Sequence, residues 1–186
     1  MMALTLWQPW AHAIVHLGKR VENRPWPPPR AMIGKRIAIH AGARYEVTEW
    51  SFPEGVRVPP RSKTPLKSIV GVATIVGYRD ERKRRDRDDS RSAQRAMFDA
   101  TRRDAGIVSV GRAQGVDLSR DAWWIGPVGW LLDDVVALGE PVPCSGSLKL
   151  WELPVAVEAL VAERFRLALT AGTEVSPTPP ASAPAG

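Results

Sequence analysis

The sequence predicts a small α+β protein, a mostly antiparallel β-barrel flanked by a few helices. Three observations point there. The elements run strand, helix, several strands, final helix. Val- and Ile-rich runs such as residues 68–78 (Ser-Ile-Val-Gly-Val-Ala-Thr-Ile-Val-Gly-Tyr) are bounded by turn-forming residues. The 186 residues, 44% of them hydrophobic, suit a single domain around a single core.

Residues 3–6 read as a short strand. Pro9 fits the first turn of a helix and Gly18 its end. Between them Trp10, Ala13, Ile14 and Leu17 recur at helical spacing. Residues 19–24 read as a strand or extended loop, and the run Trp26-Pro27-Pro28-Pro29 is closed to helix. Residues 36–41 form an expected buried strand with Ile37 and Ile39 on one side. A short helix is expected at 45–50, then a Pro-rich loop over 52–65. Residues 68–78 are the clearest strand. Residues 128–138 form a second long strand, split or bulged near Gly129. Residues 141–146 turn, and 147–153 return as a strand. Pro154 opens a last helix with Val157, Leu160, Val161, Phe165 and Leu169 on one stripe.

Residues 1–170 are therefore expected to form one domain, and 171–186, rich in Ala, Pro, Ser, Thr and Gly, a disordered tail. Residues 79–95 carry eight basic and five acidic residues. Their mixed signs predict a solvated polar insert, and residues 93–103 an Ala-rich helix after it. The formal charge is +6, which attracts phosphate backbones without any reading of sequence. No apolar run approaches the ~20 residues of a membrane helix, and Trp7-Gln8-Pro9 interrupts any signal-peptide pattern. Cys144 is the only cysteine, so no internal disulfide is expected and a cytoplasmic location is.

Three segments carry a resemblance. The first is Leu4-Thr5-Leu6-Trp7-Gln8-Pro9-Trp10-Ala11 with Gly18-Lys19-Arg20-Val21-Glu22-Asn23-Arg24-Pro25-Trp26. The second is Gly34-Lys35-Arg36-Ile37-Ala38-Ile39-His40-Ala41. The third is Gly126-Pro127-Val128-Gly129-Trp130-Leu131-Leu132, closed by Pro141-Val142-Pro143-Cys144 and Leu150-Trp151-Glu152-Leu153. In this order they resemble the ASCH family of PUA-like β-barrels. The family signature is a Gly, any residue, Lys, two residues, Glu, one residue, Arg. Lys19, Glu22 and Arg24 fit it, whereas the glycine place holds Leu17 and the glycine stands one position later, at Gly18.

The residues make their own case beside that resemblance. In an extended segment Glu22 and Arg24, two apart, share a face. Lys19 stands at the helix–strand turn, from which it could join them. A Lys and an Arg beside a carboxylate can grip phosphate or a base edge; the plain alternative is a surface ion-pair ladder worth ~0–1 kcal/mol. Trp7 could stack on a base and Gln8 pair with a base edge, or both could belong to the barrel core. Trp26 is a candidate cleft wall. Trp10 falls on the apolar helix stripe and, with Trp130 and Trp151, reads as core. His40 ends a strand, either as a ligand contact titrating near neutral pH or as a satisfied structural residue. His12 and His16 have metal-ligand spacing without a third ligand or an intervening Glu, so no metal is expected. No phosphate loop, Ser-His-Asp pattern or zinc motif appears, and no cofactor is expected.

Three functions stay open. The resemblance implies a module that binds RNA or a modified nucleotide in a cleft lined by Trp7, Gln8, Lys19, Glu22, Arg24, Trp26 and His40. It also implies a small hydrolase: some bacterial ASCH proteins deacetylate N4-acetylcytidine with the motif lysine as base and a threonine three residues later as nucleophile, and others are ribonucleases. Lys19 matches the lysine and Glu22 occupies the threonine place; a Glu–Lys pair could instead activate water. The third possibility is a non-catalytic regulatory protein acting through the basic insert.

Overall fold

In a computed structural model the chain is described over residues 1–47, 52–82, 107–109 and 121–171. The strands are β1 (Met2–Gln8), β2 (Val21–Asn23), β3 (Arg36–Tyr45), β4 (Ser68–Asp80), β5 (Ile107–Ser109), β6 (Val128–Pro143) and β7 (Leu150–Glu152). The helices are α1 (Trp10–His16) and α2 (Val155–Thr170), with 3₁₀ turns at Arg30–Met32 and Arg61–Lys63. The described residues fall into two compact units. The first draws on Met1–Arg20, Arg36–Thr74 and Asp133–Gly186, the second on Val21–Lys35 and Ile75–Leu132.

In the first unit the strand order is β6-β4-β3-β1-β7. β3 pairs with β4 and β7 with β1 antiparallel, while β1 and β3 run parallel. A parallel pair needs a long crossover, which residues 9–35 supply. Ala3, Ala38, Ile69, Val72, Leu138 and Val161 form the core of this unit. Burial of each larger apolar side chain stabilises the fold by about 1.5–3 kcal/mol. In β3 not only Ile37 and Ile39 but also Ala38 and His40 are buried, so both faces of that strand are covered.

α1 ends where the sequence places its stop. Gly18 has φ 70, a left-handed conformation that costs glycine little. The chain turns there and the Lys19 N–H returns to the Ala13 carbonyl at 3.1 Å. Arg20 closes the same end by donating to the Ile14 carbonyl at 2.8 Å, a cation placed where helix carbonyls lack partners. The glycine, displaced by one position from the family pattern, still makes the turn.

Several expectations are corrected. The expected helix at 45–50 begins as strand: Tyr45 ends β3 opposite Gln8, and the Glu46 N–H bonds the Gln8 carbonyl at 2.8 Å. Backbone pairing to β1 overrides the local preference there, and residues 48–50 lie outside the described residues. β6 is unbroken at Gly129, which pairs with Asn23 in register; its irregular residue is Asp134, with φ 46. The expected turn at 141–146 is strand as far as Pro143. β6 closes one end of the first unit's strand order, and an edge strand tolerates proline. β7 is short because Lys149, with φ 60, precedes it. On α2 the face toward the core is Val157, Val161, Phe165 and Ala168, whereas Leu160 and Leu169 are exposed. Arg79 and Asp80 belong to β4, so the polar insert starts later than 79. Residues 83–95, the expected helix at 93–103 and tail residues 172–186 lie outside the described residues.

In the second unit the order is β2-β6-β4-β5. Val21, Ile75, Val128 and Trp130 are fully buried. Gly129 is required by packing. A Cβ there would lie 2.8 Å from Trp124 Cε3 and 2.7 Å from Val21 Cγ1, closer than carbon atoms approach.

Candidate nucleotide-binding residues

In the second unit β2 presents Glu22 opposite Trp130 of β6. Glu22 is 6% exposed, and its Oε1 lies 3.0 Å from Arg24 Nε. The Arg24 guanidinium stands 5.5 Å from the Trp26 ring centre. Trp26 is fixed in turn by Trp130, whose indole N–H donates to the Trp26 carbonyl at 2.8 Å. The two rings meet edge to face at 6.4 Å and 86°, a favourable aromatic geometry. The structure thus brings together a shielded carboxylate, a guanidinium and a half-buried indole, as the residue spacing predicted for Glu22 and Arg24.

The same unit holds a cluster that the sequence reading missed. Arg79 lies 5.1 Å over the Trp124 ring and pairs with Glu81 at 2.6 Å. The Asn23 side chain clamps the segment before β6, donating to the Trp123 carbonyl at 2.8 Å and accepting from the Ile125 N–H at 3.0 Å. Asp80 is buried and holds Arg82 through two contacts of 2.9 Å; Arg82 also donates to the Pro25 carbonyl at 2.9 Å. The adjacent tryptophans 123 and 124 just before Gly126-Pro127 were the available signal.

The other expected site residues belong to the first unit. Lys19 is only 2% exposed, with its ammonium 6.0 Å from the Trp10 ring centre. Trp10, read from the sequence as core, is half-buried and stacks on Phe52 at 4.8 Å. Gln8 is fully buried and engaged at both ends of its amide. Its Nε2 donates to the Pro65 carbonyl at 2.9 Å, and its Oε1 accepts the His12 N–H at 3.0 Å. Trp7 is 43% exposed, and the Arg44 guanidinium lies 4.5 Å over its ring.

His40 is 1% exposed. Its Nε2 lies 3.0 Å from the Cys144 carbonyl and its Nδ1 3.2 Å from Thr5 Oγ1. Trp151 meets it edge-on at 5.6 Å and donates to the same Thr5 oxygen at 3.0 Å. Burial lowers the His40 pKa, and the bond to the Cys144 carbonyl opposes that shift. Both ring nitrogens have protein partners, the geometry of a structural histidine. His12 and His16 lie with ring centres 4.5 Å apart. Burial, then the neighbouring His16, lowers His12 to about 4, and burial lowers His16 as well. Among the described residues no group of three or more His, Cys, Asp or Glu side chains is placed to hold a metal ion. No helix among them is long and apolar enough to cross a membrane.

These features define an α+β protein with a mostly antiparallel sheet, carrying a carboxylate, a guanidinium and an indole together on and beside β2. The chain belongs to the ASCH domain family: the ASCH domain matches residues 4–119. That span holds the first two signature segments and stops short of the third. Among solved structures the chain is similar to the crystal structure of ASCH from Zymomonas mobilis, at 19% identity and a TM-score of 0.41, over 87% of this chain and 93% of that one. No curated protein matches it significantly.

Proposed function

We propose that this chain binds RNA or a modified nucleotide through Glu22, Arg24 and Trp26. The observation that carries the reading is the arrangement beside β2, a carboxylate 6% exposed and 3.0 Å from a guanidinium that itself lies 5.5 Å from an indole. A carboxylate accepts hydrogen bonds from the exocyclic amino group of a base. A guanidinium suits phosphate. An indole stacks on bases at about 1–3 kcal/mol each. The ASCH family's general link to RNA binding supports the same reading.

Hydrolysis of a modified nucleoside such as N4-acetylcytidine, or of RNA, is the second reading. It is favoured by Lys19, since a lysine 2% exposed is rare unless its environment has a use for it. Lys19 would act as base.

One experiment separates the two. The chain and its Lys19→Ala, Glu22→Gln and Arg24→Ala variants are incubated with labelled RNA and with N4-acetylcytidine. Binding without turnover, weakened at least tenfold by Glu22→Gln or Arg24→Ala, supports the module. Turnover abolished by Lys19→Ala supports the hydrolase. A deletion beginning at 83, which leaves β4 and the Asp80–Arg82 pair intact, tests the basic insert. Loss of RNA binding in that deletion alone, with all three variants behaving as wild type, overturns both readings.

A further inference from the structure

Trp7 is exposed, and its surroundings in the first unit are basic. β1 and β3 lose register between Leu6 and Gln8: Leu6 pairs with Ala41, but Gln8 pairs with Tyr45. Three residues of β3 therefore stand against Trp7 alone, and the third, Arg44, lies 4.5 Å over the indole. Residues 57–67 are tied to the same ends of β1 and β3. The Tyr45 hydroxyl donates to the Pro59 carbonyl at 2.6 Å, and Gln8 Nε2 donates to the Pro65 carbonyl at 2.9 Å. The Lys67 N–H reaches the Gly42 carbonyl at 3.4 Å.

That segment reads Arg57-Val58-Pro59-Pro60-Arg61-Ser62-Lys63-Thr64-Pro65-Leu66-Lys67, four basic residues and no acidic one. Arg57, Arg61, Lys63 and Lys67 are all exposed, as is Arg44. None of the five forms an ion pair among the described residues. The described carboxylates of residues 36–67 are Glu46 and Glu54, both exposed. Prolines and the 3₁₀ turn at Arg61–Lys63 hold the strip in a fixed course.

We propose that Trp7, Arg44 and the strip 57–67 bind a single-stranded nucleic acid, the indole stacking on an unpaired base while the five cations hold successive phosphates. The rigid basic strip supplies charge complementary to a polyanion. The flat ring selects an unpaired base, because a base inside a duplex has no free face. The large exposed apolar side chains here are Trp7 and Val47, too few for an apolar insertion into a lipid surface. This inference rests on reading the chain as a nucleotide binder and names the ligand as a strand rather than a free nucleoside.

The test uses the full chain with a fluorescein-labelled 12-nucleotide single-stranded RNA, the same RNA as a duplex, cytidine 5′-monophosphate, and vesicles containing phosphatidylserine. Five phosphate contacts give a log–log salt slope of about −3.5 on a single strand, and Arg57→Ala/Arg61→Ala/Lys63→Ala reduces its magnitude by about 2. Trp7→Ala weakens the 12-mer by about tenfold. Both variants leave cytidine monophosphate binding unchanged, whereas Glu22→Gln weakens it. A triple variant that keeps the wild-type affinity and salt slope overturns the strip. Equal binding of the duplex overturns the assignment to a single strand, and stronger binding to the vesicles overturns the assignment to nucleic acid. A wild-type chain that binds the monophosphate but not the 12-mer overturns the strip and leaves the reading of Glu22, Arg24 and Trp26 standing. Failure to bind either overturns both.

Discussion

Trp130→Phe separates the support of the candidate residues from the residues themselves. Trp130 is fully buried. It stands opposite Glu22 in the β2–β6 ladder, and its N–H donates to the Trp26 carbonyl at 2.8 Å. Phenylalanine keeps an aromatic ring beside Trp26 but removes the donor. A buried acceptor left without its donor costs about 1–3 kcal/mol; Trp26 is only half-buried, so the lower end applies. The smaller ring also leaves a cavity costing ~1 kcal/mol. The sum is about 2 kcal/mol, which at this chain length lowers Tm by roughly 4–8 °C. Trp26 then loses its tether, and RNA affinity falls by about fivefold, part of one stacking interaction. Thermal unfolding by circular dichroism and RNA titration well below the transition measure the two effects. Ile37→Ala in β3 serves as the comparison, costing about 2–5 kcal/mol through cavity formation alone. A Trp130→Phe chain melting within about 1 °C of wild type would refute the packing argument. An equal loss of RNA affinity in Ile37→Ala would show that the binding loss reports general destabilisation rather than the position of Trp26.

Two further outcomes follow from the geometry. Gly129→Ala forces a methyl group against Trp124 and Val21 and costs about 1–3 kcal/mol by overpacking; in a Trp124→Ala background the cost shrinks, and additive Tm shifts in the double variant would show that the two sites do not touch. His12 titrates at about 4 in the folded chain against 6.5 ordinarily, so between those values the unfolded state binds more protons and stability falls as pH falls. Denaturant titrations from pH 7 to 4 are expected to show full stability above about pH 6.5, a decline toward pH 4, and a shallower decline in His12→Gln; identical profiles would contradict the depressed value.

Local chemistry made much of the fold legible. Pro9 and Gly18 bracket α1, Pro154 opens α2, and the Val- and Ile-rich run at 68–78 is strand, because caps, turns and residue period act over a few positions. The Lys19, Glu22 and Arg24 pattern marked the candidate residues, since spacing of two on a strand places Glu22 and Arg24 on one face. Non-local pairing decided the rest. Residue 45 became strand because Gln8 supplied a partner, and α2 turned Val161 and Ala168 inward rather than Leu160 and Leu169.

The tryptophans divide on the same principle. Indoles at 7, 10, 124 and 130 have the same propensities, yet Trp130 is fully buried, Trp10 and Trp124 half-buried, and Trp7 exposed beneath Arg44. The arginines beside Trp7 and Trp124 lie 37 and 45 positions away in the chain, beyond the reach of any periodic pattern. By itself the sequence determined the family signature, the helix termini and the basic charge. Only the tertiary structure decided which indoles meet solvent and which cations cover them, because those contacts close long stretches of chain whose ends no local preference connects.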